Sequence, residues 1–232
     1  MEIIYIPCRW KKDIKIDTKN LKKIEERKVG IVSTIQFLDK LDSLEKILET
    51  RGVISKRCGY ILGCDLTNAL KIAEDVEAFI YVGDGKFHAI GLALETNKKV
   101  YILDPKSGKI FRITDEELNK IKKRRRAKLL KAALGKRFGI LISSKSGQFN
   151  LEKALEIKNV LEEKFKEKKL KAFLFIGEEI KPENLLGFEV DAWINTACPR
   201  LVDDHFDKPI INAEEFIEIL EIFKLIQKNV RE

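Results

Sequence analysis

This 232-residue chain has one methionine, two histidines and four cysteines. It has no apolar run approaching the ~20 residues that a membrane span requires, so nothing in it predicts an integral membrane protein. Its first residues, MEIIYIPCRWKK, lack the basic-then-apolar order of a signal peptide, and the expected location is cytoplasmic. Four cysteines without regular close spacing do not make a secreted disulfide framework, and in a reducing compartment they stay free to bind metal. The two histidines, His88 and His205, form no helical metal pair. A dinucleotide fingerprint is also lacking: Gly91 lies too far beyond Gly83 and Gly85, and no acidic residue stands at the expected distance. SSKSGQFN (143–150) lacks the Lys-Thr or Lys-Ser ending of a nucleotide triphosphate loop, which argues against ATP hydrolysis.

What is present is a globular composition. At 44% hydrophobic residues the chain has enough apolar side chains for real cores and is not disordered. A net charge of +8 favours acidic surfaces. The densest basic run, residues 120–137, nevertheless carries Leu130, Ala133 and Leu134 at helical spacing, with no aromatic residues interleaved to stack bases. It reads as a solvated helix face, and no direct nucleic-acid contact is expected. The 35% charged fraction, rich in Lys and Glu, is a heat-adapted pattern.

Short β-type runs alternate with amphipathic stretches, the pattern of parallel sheets covered by helices. Strands are expected over residues 3–6, 29–33, 60–62, 78–82, 100–103, 138–143, 172–176 and 192–195, and helices over 41–50, 66–75, 115–133, 151–167 and 213–227. Thr114 or Asp115 reads as an N-cap. An internal repeat is visible at an offset of 114: VEAFI (76–80) aligns with VDAWI (190–194), and YILG (60–63) loosely with LFIG (174–177). The expectation is an α/β chain of two related domains, each a small parallel sheet flanked by helices. They would cover residues 1–104, with 1–27 a lead-in, and residues 105–232, joined at the DPKSG turn (104–108).

Cys64, in YILGCD, and Cys198, in DAWINTACPR, each end an apolar strand. Such a position points a thiol out of the carboxyl edge of a parallel sheet, where open α/β folds place their ligands. A free cysteine is also often a small buried hydrophobe. Both here stand beside Gly, Ala or Pro, and Cys198 is followed by Arg200, Asp203 and Asp204, so metal ligation and core filling both remain open on the residues alone. Cys8 and Cys58 read as incidental. Gly83, Asp84 and Gly85 let the chain turn sharply after a strand, and the N–H groups of a following helix favour a carboxylate or phosphate there. His88, in that helix's first turn, suits donation to an anion or proton transfer. A Gly-Asp-Gly turn is equally common as a plain structural turn.

LGCD around Cys64, YVGDGKFHAIGLAL (81–94), SSKSGQ (143–148) and DAWINTACPRLVDD (191–204) occur in an order that resembles the diphthamide synthase family, from about Val29 onward. The resemblance implies repeated α/β domains, three in the family, each giving one cysteine to a single 4Fe-4S cluster that binds S-adenosylmethionine. It implies reductive cleavage to a 3-amino-3-carboxypropyl radical and its addition to a histidine of translation elongation factor 2. Carried onto this chain, it makes Cys64 the metal ligand of the family's middle domain and Cys198 that of its last, with the first domain expected to be absent. Gly83, Asp84, Gly85, His88 and Gln148 are expected to hold the cosubstrate, and no catalytic residue is singled out. Valine at position 83 or 85 should then weaken cosubstrate binding while leaving the fold mostly intact. The implied function is that of a component of 2-(3-amino-3-carboxypropyl)histidine synthase. Its implied partners are elongation factor 2 and either a second copy or a chain supplying the first domain. A non-catalytic or truncated subunit that docks elongation factor 2 or a catalytic subunit is the alternative, and a generic nucleotide-binding protein a third reading.

Overall fold

The computed structural model describes residue 4, residues 6–62 and residues 65–231, the side chains of residue 168 and residues 224–231 excepted. It divides into two units, Met1–Asn119 and Lys120–Glu232, each built on its own sheet. The first contains β1 (Lys28–Ser33), α1 (Asp42–Thr50), β2 (Ile54–Tyr60), α2 (Thr67–Leu70), β3 (Ala78–Val82), α3 (Phe87–Thr96), β4 (Lys99–Leu103) and β5 (Ile110–Arg112). The boundary falls within α4 (Asp115–Ala133). The second contains β6 (Arg137–Ser143), α5 (Leu151–Lys164), β7 (Lys171–Gly177), α6 (Pro182–Leu185), β8 (Ala192–Asn195), β9 (Ile210–Asn212) and α7 (Phe216–Arg231).

The first sheet runs β2-β1-β3-β4-β5, with β5 antiparallel on β4 and the other pairings parallel; the second runs β7-β6-β8-β9, parallel throughout. Central strands such as AFIYV and AWIN are buried at every position because both faces of a parallel sheet are covered. In the first unit, Leu44 and Leu48 of α1 join Val29, Ile31 and Ile80 on one face, while Leu92 and Ala93 of α3 join Phe79, Tyr81 and Val100 on the other. In the second, Ala154, Ile157 and Leu161 of α5 and Phe216 and Ile219 of α7 pack with Ile140, Ile142 and Ile194. Trp193, Leu141, Val202 and Phe206 fill the opposite face.

The repeat extends well beyond the matching pentapeptides. Strands β2, β1, β3 and β4 correspond in order to β7, β6, β8 and β9. At the amino end of the first sheet, Glu77 Oε2 accepts the backbone N–H groups of Arg27 and Lys28 at 2.7 and 3.1 Å. In the second, Asp191 Oδ2 accepts those of Lys136 and Arg137, both at 2.8 Å. A glycine on each central strand lies beside an aromatic ring on the next, Gly30 beside Phe79 and Gly139 beside Trp193. A Cβ at Gly30 would come within 2.6 Å of the Phe79 ring, and one at Gly139 within 2.1 Å of the indole.

Several boundaries differ from the sequence expectation for physical reasons. The strand expected at 60–62 is β2, which starts at Ile54 and ends at Tyr60. Lys56 and Arg57 hide it, and the register shifts by one residue opposite Ile31/Val32, with Gly59 at φ +95°. As an edge strand it carries charge, Arg57 pairing with Asp42 and Glu45 and Lys56 with Asp75. The helix expected at 66–75 is two pieces, α2 and a 3₁₀ turn, Ala73–Asp75. The three-residue strands β5 and β9 are too short to show a period. Residues 104–108 form the turn between β4 and β5, where Asp104 Oδ1 accepts the N–H of Lys106 at 2.8 Å. Half of the strand expected at 3–6, residues 3 and 5, falls outside the described residues, and residues 4 and 6 are not in a strand. At α4, Thr114 Oγ1 accepts the Glu117 N–H at 3.2 Å while Glu117 Oε2 accepts the Thr114 N–H at 3.0 Å, a reciprocal cap.

Candidate functional site

Ligands of open parallel sheets bind beyond the carboxyl ends of the strands, where the strand order reverses. In the second unit that point lies between β6 and β8. β6 ends at the buried Ser143, whose hydroxyl donates to the Glu178 carbonyl at 3.3 Å and accepts the Lys145 N–H at 3.2 Å. The chain then turns through Gly147, at φ +76°, and Asn150 Nδ2 donates to the Thr196 carbonyl at 2.6 Å, tying this loop to the segment after β8. Cys198 follows directly and begins a 3₁₀ turn, Pro199–Asp203.

These loops enclose a cleft of about 390 Å³ lined by Ser143, Lys145, Gln148, Glu178, Glu179, Cys198, Arg200 and Asp204, among others. Cys198 is a free thiol, half-buried at its wall. The polar groups are mixed in sign: Glu179 is paired with Lys145 at 3.7 Å and Lys181 at 2.5 Å. The Lys181 ammonium holds the Glu179 carboxyl below the ordinary carboxylate range. Part of the basic run on α4 secures the cysteine's turn: Arg124 and Arg125 each approach Asp203 at 3.7 Å, and Lys128 Nζ donates to the Val202 carbonyl. Burial, with Arg124 nearby, lowers the Lys128 ammonium from its usual value. That face of the helix therefore departs from the solvated surface its composition predicts.

The corresponding edge of the first unit carries Gly83, Asp84, Gly85 and His88. Asp84 pairs with Lys106 of the 104–108 turn at 2.6 Å. His88 stacks on Tyr81 at 5.7 Å between ring centres, with Nδ1 3.3 Å from the Tyr81 hydroxyl. Burial pushes the His88 imidazole down, favouring its neutral form, and burial together with the Asp84 charge pushes the Tyr81 phenol up. Gly85, at φ +73°, has open space where a Cβ would stand. Gly83 does not, since a Cβ there would lie 2.3 Å from Tyr81 Oη. A valine at 83 therefore collides with a buried ring, and one at 85 is strained by a backbone conformation that L side chains rarely adopt, which corrects the expectation that either variant leaves the fold mostly intact.

The sequence-predicted residues thus fall into two groups, one in each unit. Gln148 and Cys198 share the second unit's cleft, whereas Gly83, Asp84, Gly85 and His88 share the first unit's turn. Cys64 lies outside the described residues; its neighbours Leu62 and Asp65 exchange backbone hydrogen bonds at 3.0 and 3.2 Å. Under the 114-residue offset Cys64 aligns with Glu178, which lines the cleft. Burial raises the Cys58 thiol to about 12, so it is protonated at neutral pH. Cys8 is exposed.

A family model for diphthamide synthesis proteins matches residues 1–228. The chain belongs to that family. It is 32% identical over 207 residues to a 2-(3-amino-3-carboxypropyl)histidine synthase of Pyrococcus horikoshii, covering 84% of this chain and 57% of that protein. It is 29% identical over 222 residues to subunit 1 of the human 2-(3-amino-3-carboxypropyl)histidine synthase, covering 88% of this chain and 48% of that one. Its fold is similar to the crystal structure of Dph2 from Pyrococcus horikoshii with a 4Fe-4S cluster, at TM-score 0.74 and 28% identity over 88% of this chain and 60% of that one. The chain spans roughly half to three-fifths of the length of these relatives.

The donor set fits one ligand of such a cluster. Cys198 offers a free sulfur at an open cleft, and thiolate is the ligand iron–sulfur clusters take. Among the described residues no three His, Cys, Asp or Glu side chains gather into a metal site. Sequence reasoning took in Ser143 only as part of the SSKSGQFN loop and did not single out Tyr81 or the Asn195–Asn212 pair. A side chain with a polar group at or next to the end of an apolar strand at matching offsets, Tyr81 and Asn195, was the available signal.

Proposed function

We propose that this chain contributes to 3-amino-3-carboxypropyl transfer from S-adenosylmethionine to a histidine of translation elongation factor 2, with Cys64 and Cys198 as thiolate ligands of a 4Fe-4S cluster. The observation that carries the proposal is the position of Cys198: a free thiol in the wall of a cleft, at the carboxyl ends of β6 and β8, in a member of a family with relatives named for this synthase. When bound, the cluster supplies the electron for reductive cleavage of the sulfonium cosubstrate.

The chain's own residues bind and orient. Cys198 anchors the iron, and Gln148 and the Ser143 hydroxyl present neutral polar groups in the same cleft. Arg200, exposed two residues beyond the thiol, supplies positive charge suited to the cosubstrate carboxylate. Glu178 and Asp204 offer acceptors for its ammonium group. His88, held neutral by burial, and the Gly85 turn are assigned to the cosubstrate or the target loop. The remaining thiolate belongs to another chain or domain.

Anaerobic reconstitution with iron and sulfide should give the broad thiolate-to-iron absorption, and Cys64→Ala and Cys198→Ala should each abolish it, because each removes a soft ligand from one iron. An unchanged spectrum in both variants would overturn the assignment.

A further inference from the structure

The segment that carries Cys198 is held by more hydrogen bonds than a surface turn requires, and two buried amides supply the central ones. Asn195 and Asn212 are register partners that end β8 and β9, 2% and 8% exposed. Asn195 Oδ1 accepts the Ala197 N–H at 3.0 Å. That contact fixes the orientation of the amide, because a backbone N–H can meet only the oxygen. Asn195 Nδ2 therefore faces the other way, donating to the Cys198 carbonyl at 2.9 Å and to Asn212 Oδ1 at 2.8 Å. With its oxygen so engaged, Asn212 turns Nδ2 toward the Pro199 carbonyl at 3.4 Å. Its own N–H is held by Glu215 Oε2 at 2.8 Å. Both carbonyls of the Cys198-Pro199 step thus end on one amide pair, and each orientation dictates the next.

A buried polar network of this kind specifies a single arrangement when every member is satisfied and fails as a unit when one is removed. An apolar pair would serve packing equally well at these positions. What the amides add is a fixed backbone at the residue whose sulfur faces the cleft. The first unit differs here: Tyr81, aligned with Asn195, approaches the carbonyl of Asp84, the counterpart of Cys198, only to 3.5 Å.

We propose that Asn195 and Asn212 are positioning residues that set the Cys198 thiol. This rests on the reading of Cys198 as a metal ligand, but its test does not. In the metal-free full chain, the rate of iodoacetamide alkylation at Cys198 is measured by peptide mass spectrometry relative to the exposed Cys8. Asn195→Asp keeps the size and the acceptor for Ala197 but sets a carboxylate against the Cys198 carbonyl. The Cys198-to-Cys8 ratio should rise about fivefold, the change that one ordinary hydrogen bond produces in an opening equilibrium. Ile211→Val, which trims the neighbouring core without touching the network, should leave it within about twofold at a comparable loss of stability. Asn212→Asp retains the acceptor for Asn195 and removes only the donor to Pro199, so it should give a smaller rise, still above the Ile211→Val control. It decides the question if Asn195→Asp does not fold. Ratios equal to that of Ile211→Val in every folded Asn variant would overturn the proposal, whatever the reconstituted spectrum shows. A missing cluster spectrum with raised ratios would instead overturn the metal reading alone.

Discussion

At the amino ends of their sheets the two units are close to interchangeable. Glu77 and Asp191 accept the same pair of backbone N–H groups, and Gly30 and Gly139 make room for the same kind of ring. At the carboxyl ends they part. Where the first unit has Tyr81, its ring stacked on His88 and the adjacent Asp84 paired with Lys106, the second has the compact Asn195–Asn212 pair and an open cleft. The frame is kept because burial and ladder geometry constrain it at every residue. The loops beyond the strands bear little of that load and can take up different chemistry.

The largest effect expected from disturbing this comparison is at the glycines. Alanine on a strand gains about 0.4–1 kcal/mol over glycine through the unfolded chain, whereas forcing a methyl into a packed ring costs about 1–3 kcal/mol. The clash should win in both units, and by more at Gly139, where the indole is 2.1 Å away, than at Gly30, where the phenyl is 2.6 Å away. Urea midpoints of Gly139→Ala and Gly30→Ala measure this. Equal midpoints, or a more damaging Gly30→Ala, would show that the two ring contacts do not differ as their geometry requires.

A smaller effect separates the carboxylates. Burial raises the Asp191 carboxyl, but the N–H groups of Lys136 and Arg137 and the Arg137 guanidinium outweigh it and hold the group below its usual value. A folded value below the unfolded one means the contribution is fully present above about pH 4 and is lost as pH falls through the folded value. Asp191→Asn should therefore cost about 1 kcal/mol at neutral pH, discounted for a side chain that is 34% exposed, and should flatten the fall in stability below about pH 4. Glu77→Gln should cost a similar amount at neutral pH. Acid titration of unfolding free energy is the measurement, and an unchanged acid slope in Asp191→Asn counts against the assignment.

How much of this was readable beforehand follows the same division. β3, β8 and α4 stand where apolar runs and the Thr114/Glu117 pair place them, because burial on two faces and a reciprocal cap leave plain local marks. β2 was obscured by Lys56 and Arg57, since an edge strand needs no apolar continuity. Cys198 was conspicuous at the end of its strand, but Asn195 and Asn212, seventeen residues apart in sequence, become partners only through the β8–β9 register. No local pattern encodes that pairing. The recruitment of Arg124, Arg125 and Lys128 to the cysteine's turn is equally invisible, because a basic helix face looks the same whether it meets water or a loop.

The smallest effect falls on Tyr81, the counterpart of Asn195. Its hydroxyl lies 3.5 Å from the Asp84 carbonyl and 3.3 Å from His88 Nδ1, well beyond the ~2.7–2.8 Å of a strong O–H···O bond. Tyr81→Phe keeps the ring, the stacking and the packing on Phe79 and Val100, so it should cost less than about 0.5 kcal/mol and lower the melting temperature by no more than about 2 °C. The ring carbon that would remain is still 2.5 Å from a Cβ at position 83, so Gly83→Ala should be as damaging in the Tyr81→Phe background as in the parent. Asn195→Asp, by contrast, should cost about 1–3 kcal/mol because it leaves buried carbonyl and carboxylate oxygens facing one another. Thermal melts of the two variants side by side decide the matter. If Tyr81→Phe proves as costly as Asn195→Asp, the two units fasten their carboxyl edges with equal force, and the contrast between a ring-filled edge and an amide-braced one would have to be abandoned.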